Sequence, residues 1–361
     1  MRRWVMALLA LGWVGCGHDG DGGDGGAGAD MAVAMDLATA ADLSASGAPD
    51  LTIGTDTDGG LACIPPPTAM VARYVWNATT VPMQRSDFAF DLNGDGRSDN
   101  QYGNIVGALT GQGFDIQAAA TQAITSGQSI TLVAESSKDA SFGDDACATS
   151  TMYAGTPTAS PDYSGAGHFT IDAAATVGHF TGPIAAARFT SEPSPAFAKV
   201  PSVVRYDLPL FGSSPVDLVG ARITYVRAAN GTVTGGQLNG AIRQYDIDHE
   251  LVPAIAGALN LQVHTNPSSS SSMQILAIFD TGGATDPACG STCKNLDGSC
   301  AVAKDGNITD CEVGTNGIIR NVLAPDVQLF DAAGNYHPDP ANTNKDSLSV
   351  GIGFTAVGAT F

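Results

Sequence analysis

The chain has 361 residues, a formal charge of −20 and only 14% charged side chains, with 36 Asp and Glu against 16 Lys and Arg. That balance excludes the basic footprint of a nucleic-acid binder. It repels anionic lipid heads and attracts divalent cations, and the abundance of small residues suits a secreted β-rich protein better than a long helical bundle.

Met1-Arg2-Arg3 leads into eleven largely apolar residues, Trp4 to Val14, then Gly15 and Cys16. A basic head, an apolar core and a small residue at the cut are the parts of an export signal. The run falls short of the ~20 residues that a membrane-spanning helix needs. Trp13-Val14-Gly15-Cys16 resembles the lipobox of bacterial lipoproteins, with Trp13 where Leu is usual. The resemblance implies a signal peptide over 1–15, acylation of Cys16 and, with Gly17 next, outer-membrane sorting facing the periplasm or the cell surface. The alternative is an ordinary secretory signal with a chance cysteine. Residues 17–62 hold nine Asp and no Lys or Arg, and repeat Asp30-Met31, Asp36-Leu37, Asp42-Leu43 and Asp50-Leu51. So little apolar surface cannot offset the entropy of ordering, so 16–62 reads as a disordered, self-repelling tether between lipid and domain.

Residues 63–361 are long enough for one β-rich domain. Setting Cys16 aside leaves Cys63, Cys147, Cys289, Cys293, Cys300 and Cys311, an even number that in an exported chain reads as a disulfide framework. The last four lie within 23 residues and are expected to pair among themselves, leaving Cys63 with Cys147. A zinc site from those four is the rival, but gaps of 3, 6 and 10 residues fit no common zinc spacing.

Met70–Trp76 is a candidate first strand. The loop Asp91-Leu92-Asn93-Gly94-Asp95-Gly96-Arg97-Ser98-Asp99 follows. Oxygen side chains at loop positions 1, 3, 5 and 9 converge when a chain wraps a hard cation; Gly at 6 permits the turn and position 7 offers a carbonyl. These are Asp91, Asn93, Asp95 and Asp99, with Gly96 and the Arg97 carbonyl. The loop resembles the calcium loops of EF-hand, dockerin and thrombospondin-type repeats. Tyr102 stands where an EF-hand has its bidentate Glu, which implies a weak structural Ca2+ site. The competing reading is a polar turn rich in turn-forming residues.

Helices are expected over 101–111 and 115–126, the second capped by Asp115. Strands are expected over Ser129–Ala134, His168–Ile171, Thr176–Phe180, Ala185–Phe189, Val203–Leu208, Ala221–Arg227 and Thr232–Ile242, with a hairpin at Asn230-Gly231. His168 and His179 share a Gly-His-Phe context and could face each other across two strands as metal ligands, although structural histidines are commoner. Helices are expected over His249–Leu261 and Met273–Phe279.

Asp305-Gly306-Asn307-Ile308-Thr309-Asp310-Cys311-Glu312 matches positions 5 to 12 of an EF-hand loop. Phe279-Asp280-Thr281-Gly282 matches its beginning, so the frame over 273–324 looks split by a cysteine-stapled insertion. Asp280, Asp305, Asn307 and Glu312 are its candidate ligands, and loss of binding with survival of the packing is the alternative. Ser347–Thr360 reads as a final strand that pairs back into the main sheet. The expected fold is α+β: a β-sandwich or bent antiparallel sheet with short helices at one end and a degenerate, disulfide-stapled EF-hand-like helix–loop–helix near the C-terminus.

Together with Gly103-Asn104-Ile105-Val106-Gly107-Ala108-Leu109, Gly236-Gln237-Leu238-Asn239-Gly240-Ala241-Ile242 and the run from Asp346 to Val357, these features resemble uncharacterised lipoproteins of myxobacteria and their relatives. The resemblance strengthens the address and carries no activity. No nucleophile elbow, zincin helix or phosphate loop is present. The expected function is a non-enzymatic, calcium-stabilised envelope module, anchored to the membrane by its lipid, that binds a carbohydrate or protein partner or serves structurally. The alternative is a secreted hydrolase of an envelope polymer, with no catalytic residues that the sequence singles out.

Overall fold

A computed structural model describes residues 70–111, 115–137, 143–173, 178–191, 202–208, 214–228, 231–280, 304 and 306–361. The signal, the tether, Cys16, Cys63, Cys289, Cys293, Cys300 and Asp305 lie outside them.

Among the described residues ten strands form one sheet: β1 Met70–Thr80, β2 Thr131–Ser137, β3 Asp145–Ala154, β4 Gly167–His168, β5 Gly178–Ala185, β6 Arg188–Thr190, β7 Val203–Leu208, β8 Ser214–Arg227, β9 Val233–Arg243 and β10 Ser347–Thr360. The order β1-β2-β3-β5-β6-β8-β9-β10 returns to β1, because the first and last strands pair antiparallel from Tyr74↔Gly358 to Thr80↔Gly353. Eight antiparallel strands therefore close a barrel. β7 extends the edge of β8, and β4 adds two residues parallel to the end of β10.

The barrel corrects the expected β-sandwich or open bent sheet. The closing strand does pair back, but onto β1 as well as β9, which leaves neither strand an open edge. Strands bend into a barrel where bulges relieve the pleat. Register shifts occur between Trp76 and Ala78, between Phe354 and Ala356, and twice along β8.

Apolar side chains fill the interior. Trp76 stacks on Phe354 with ring centroids 4.0 Å apart, Phe189 lies 5.2 Å from Tyr225, and Tyr206 lies 5.7 Å from Trp76. In β5 the buried positions are Gly178, Phe180, Gly182 and Ile184, while His179 and Thr181 face outward. Apolar-in and polar-out is the reverse of a lipid-facing barrel, where the apolar band faces outward. No described helix is long and apolar enough to cross a membrane. A charged pair is buried here: Glu135, fully buried, accepts a hydrogen bond from the Tyr225 hydroxyl at 2.8 Å and lies 3.1 Å from the buried Arg227 guanidinium.

Seven helices accompany the barrel among the described residues: α1 Gln101–Gly111, α2 Ile116–Thr125, α3 Gln244–Asp246, α4 Val252–Thr265, α5 Ser270–Phe279, α6 Asp310–Thr315 and α7 Gly317–Val322. A π-helical turn, Ile247–Leu251, joins α3 to α4. α1 and α2 put Ile105, Val106, Leu109, Ile116 and Ala120 into the core they share with the barrel. Asp115 caps α2 as expected, accepting the Ala118 N–H at 2.9 Å.

The disulfide-stapled EF-hand is also corrected. No two of the described cysteines are joined to each other. Cys147 is disulfide-bonded, and Cys311 is buried on α6. Hydrogen bonds do the joining that was expected of a staple. The Asp280 Oδ2 accepts the Gly306 N–H at 3.0 Å, tying the end of α5 to the approach to α6. Asn260 on α4 grips both backbone groups of Ile308, with Oδ1 accepting its N–H at 2.7 Å and Nδ2 donating to its carbonyl at 2.6 Å. Thr309 and Glu312 form a capping box on α6.

Some elements depart from sequence expectation. β3 was not anticipated, because its inward residues include the small or polar Ala148 and Ser150. The expected strand Ala185–Phe189 is a hairpin turn, with Ala186 and Ala187 at φ of 49° and 62°. The expected strand His168–Ile171 is reduced to Gly167–His168 and a bridge from Ile171 to Gly155.

Candidate metal site

Turn chemistry shapes the loop from Asp91 to Asp99. The Asp91 carboxylate accepts three backbone N–H groups: Gly94 at 2.7 Å and Asp95 at 3.1 Å on Oδ1, and Gly96 at 2.9 Å on Oδ2. Asn93 Oδ1 accepts from Asp95 N–H at 3.2 Å, and Asp95 Oδ1 from Arg97 N–H at 2.8 Å. Gly94 and Gly96 sit at φ of 80° and 81°, a conformation that side chains with a Cβ avoid. A two-residue bridge closes the neck, with Phe90 and Asp99 exchanging backbone hydrogen bonds at 3.2 and 2.9 Å. These contacts orient the acidic side chains before any ion arrives.

Carboxylate oxygens of Asp91, Asp95 and Asp99 lie within 4.8 Å of one another and could hold a metal ion. Asp99 is 3% exposed, and its Oδ2 is buried without a hydrogen-bond partner. Asn93 is equally buried, its Nδ2 likewise unpartnered. Burying a carboxylate oxygen with no donor is costly, so an arrangement of this kind fits a cation. Burial, then the Asp326 and Asp95 charges, push the Asp99 carboxyl up to about 6, against the pull of Arg85.

Asp326 joins the site from a distant part of the chain. The Arg85 guanidinium bridges Asp99 at 3.2 Å and Asp326 at 3.0 Å. Asp326 also accepts the Ser349 N–H at 2.8 Å and the Ser349 hydroxyl at 2.7 Å, which fastens it to β10. Burial raises the Asp326 carboxyl, opposed by these bonds and by Arg85. The position left by a bidentate Glu is occupied by Tyr102, which points into the core and is fully buried.

The loop is bolted to the closing seam of the barrel. Asn100 accepts the Gly351 N–H at 3.0 Å and donates to the Gly351 carbonyl at 2.9 Å, so its side chain mimics a paired strand. Gln101 N–H donates to Ser349 Oγ at 2.8 Å, and Asn239 Nδ2 donates to the Phe88 carbonyl. Gly351 is needed here, because a Cβ would lie 2.1 Å from the Phe88 carbonyl oxygen. Two clefts flank the loop. Arg85, Ser86, Ala89 and Ser98 line one. Asp95, Arg97, Pro340, Ala341, Asn342 and Lys345 line the other.

The remaining sequence candidates fall elsewhere. Asp280 is 3% exposed with Oδ1 unpartnered. Glu312 is buried, and its Oε2 accepts the Thr309 N–H and hydroxyl at 3.0 and 3.1 Å. Among the described residues these two do not join a group of three potential ligands. Asn307 is described, whereas Asp305 lies outside the described residues. His168 and His179 are not paired: His168 sits against Thr360 on β10 and His179 against Thr151 on β3. Arg85, Asp326 and Asn100 were missed by sequence reasoning. Arg85 and Asp326 are 241 residues apart, and no local pattern links them.

Comparison with protein-family models, with curated proteins and with solved structures finds no match for this chain. The metal site therefore stands on its own geometry.

Proposed function

We propose that this protein is a non-enzymatic binding module of the cell envelope whose barrel is stabilised by Ca2+ at Asp91, Asn93, the Arg97 carbonyl, Asp95 and Asp99. The observation that carries the reading is the buried, unpartnered Oδ2 of Asp99 beside two further carboxylates on a preorganised loop. Oxygen-only donors favour a hard cation, and an acidic loop without a bidentate Glu suits the weak extracellular class, with Kd of roughly 10⁻⁴–10⁻³ M. Acylation at Cys16 and the acidic tether would hold the module to the outer membrane, where calcium is available.

The test is thermal unfolding of the full-length chain in detergent, with CaCl2 or with EDTA. At a hundredfold excess over Kd, calcium contributes about 2.7 kcal/mol. That corresponds to a rise in Tm of roughly 4 °C for a domain of this size. Identical melting in calcium and in EDTA would sink the proposal.

A further inference from the structure

The cleft beside the metal loop is lined by two cationic side chains in an acidic protein. Arg97 projects from the loop itself, and Lys345 from the turn that precedes β10. Both reach toward the acidic loop: Arg97 stands between Asp95 and Asp99 in the chain, and the Lys345 charge acts on Asp326. Asp95, a metal-site carboxylate, lines the same cleft. An ion held by Asp95 would therefore stand at the wall of the cleft, with Arg97 and Lys345 around it. The floor is tied down, since Asn342 Nδ2 donates to the Asp326 carbonyl at 3.2 Å, and Asn342 N–H to the Asp339 carbonyl at 3.0 Å.

We propose that this cleft binds the carboxylate of an acidic sugar, with the loop's Ca2+ and the Arg97 and Lys345 side chains as its three positive contacts. The inference rests on the calcium reading above and adds a ligand class to the same site. A metal ion with open coordination positions takes a carboxylate and neighbouring hydroxyls together, and Arg and Lys supply charge-assisted donors to the same anion. A peptide ligand fits less well. Peptide recognition uses an open strand edge or an apolar groove. Among the described residues Pro340 and Ala341 are the apolar lining of this cleft, and the near end of β10 is paired by β9 on one side and bonded to Val327, Asp326 and Asn100 on the other.

The test is isothermal titration calorimetry on the full-length chain in detergent, first with CaCl2 and then, at saturating CaCl2, with tetragalacturonate and with the neutral maltotetraose. The expected result is calcium binding, calcium-dependent binding of tetragalacturonate and none of maltotetraose. The variant Lys345→Ala removes one cationic wall of the cleft and leaves every residue of the calcium loop in place. It should bind calcium as the parent does and lose tenfold or more in affinity for tetragalacturonate. No calcium heat overturns both readings. Calcium binding without tetragalacturonate binding overturns this inference alone, as does equal binding of maltotetraose or an unchanged affinity in the Lys345→Ala variant. Binding of tetraglutamate in preference to tetragalacturonate would also overturn it, in favour of an acidic peptide.

Discussion

Glu135 inside the barrel and Asp99 on its outer seam are both buried carboxylates, yet their surroundings differ. Glu135 has the buried Arg227 guanidinium 3.1 Å away and the Tyr225 hydroxyl on its other oxygen. Asp99 shares one half-exposed guanidinium, that of Arg85, with Asp326, and has Asp91 and Asp95 beside it. The barrel answers its interior charge with its own residues. The loop collects more negative charge than the protein around it balances: the unbonded Oε1 of Glu135 faces a guanidinium, and Asp99 Oδ2 stands among carboxylates. A buried ion pair is a fixed part of a fold, whereas an excess of buried charge is a place for something to bind.

Three experiments sharpen that contrast. Arg227→Met should be the most damaging, because it leaves Glu135 buried and uncompensated at a cost of about 3–5 kcal/mol, read from urea denaturation. Adding Glu135→Gln to that variant should recover much of the loss. A double variant no more stable than Arg227→Met alone would mean that the pair is not the source of the effect. Neither change should alter calcium affinity.

Gly351→Ala attacks the loop's anchor. The new Cβ meets the Phe88 carbonyl and the Asn100 amide, and overpacking of this kind costs about 1–3 kcal/mol. Calcium affinity should fall with it, because Asn100 adjoins Asp99. Gly257→Ala is the control: its Cβ would enter open space on α4, and a helical Gly→Ala change gains about 0.5–1 kcal/mol. Equal effects from the two substitutions would show that Gly351 is not an anchor.

The smallest effect expected is with pH. The Asp99 carboxyl is raised to about 6, above its unfolded value near 3.9. Without metal, the stability linked to this group is fully present below about pH 4 and is lost as pH rises through about 6. Calcium needs the ionised form, so its affinity should drop about tenfold between pH 7.5 and 5, as protons compete. The gap in Tm between calcium and EDTA should therefore narrow over that range. A gap independent of pH would place the cation away from Asp99.

Local physics was legible. The apolar periodicity of Gln101–Gly111, the Asp115 cap and the β-branched runs of β7, β9 and the second half of β8, Ala221–Arg227, could be read directly; the first half of β8 was not expected. So could the spacing of Asp91, Asn93, Asp95 and Asp99, because a turn only a few residues long brings oxygens together by its own geometry. β3 was not legible, since its inward residues include the small Ala148 and the polar Ser150, which takes a hydrogen bond from the Tyr225 hydroxyl of another strand. Barrel closure was half visible: alternation within Ser347–Thr360 shows a strand, and says nothing of which two strands flank it.

The sequence by itself determined the acidic, cation-seeking character of the chain and the ligand spacing of the metal loop, because charge and short-range geometry are local properties. Only the tertiary structure decided that the sheet closes on itself, that Asp326 and Arg85 join the loop, and that Arg97 and Lys345 face one cleft. Those contacts link residues as far as 241 positions apart, and what sets them is the pairing of β10 with β1, which no stretch of sequence contains.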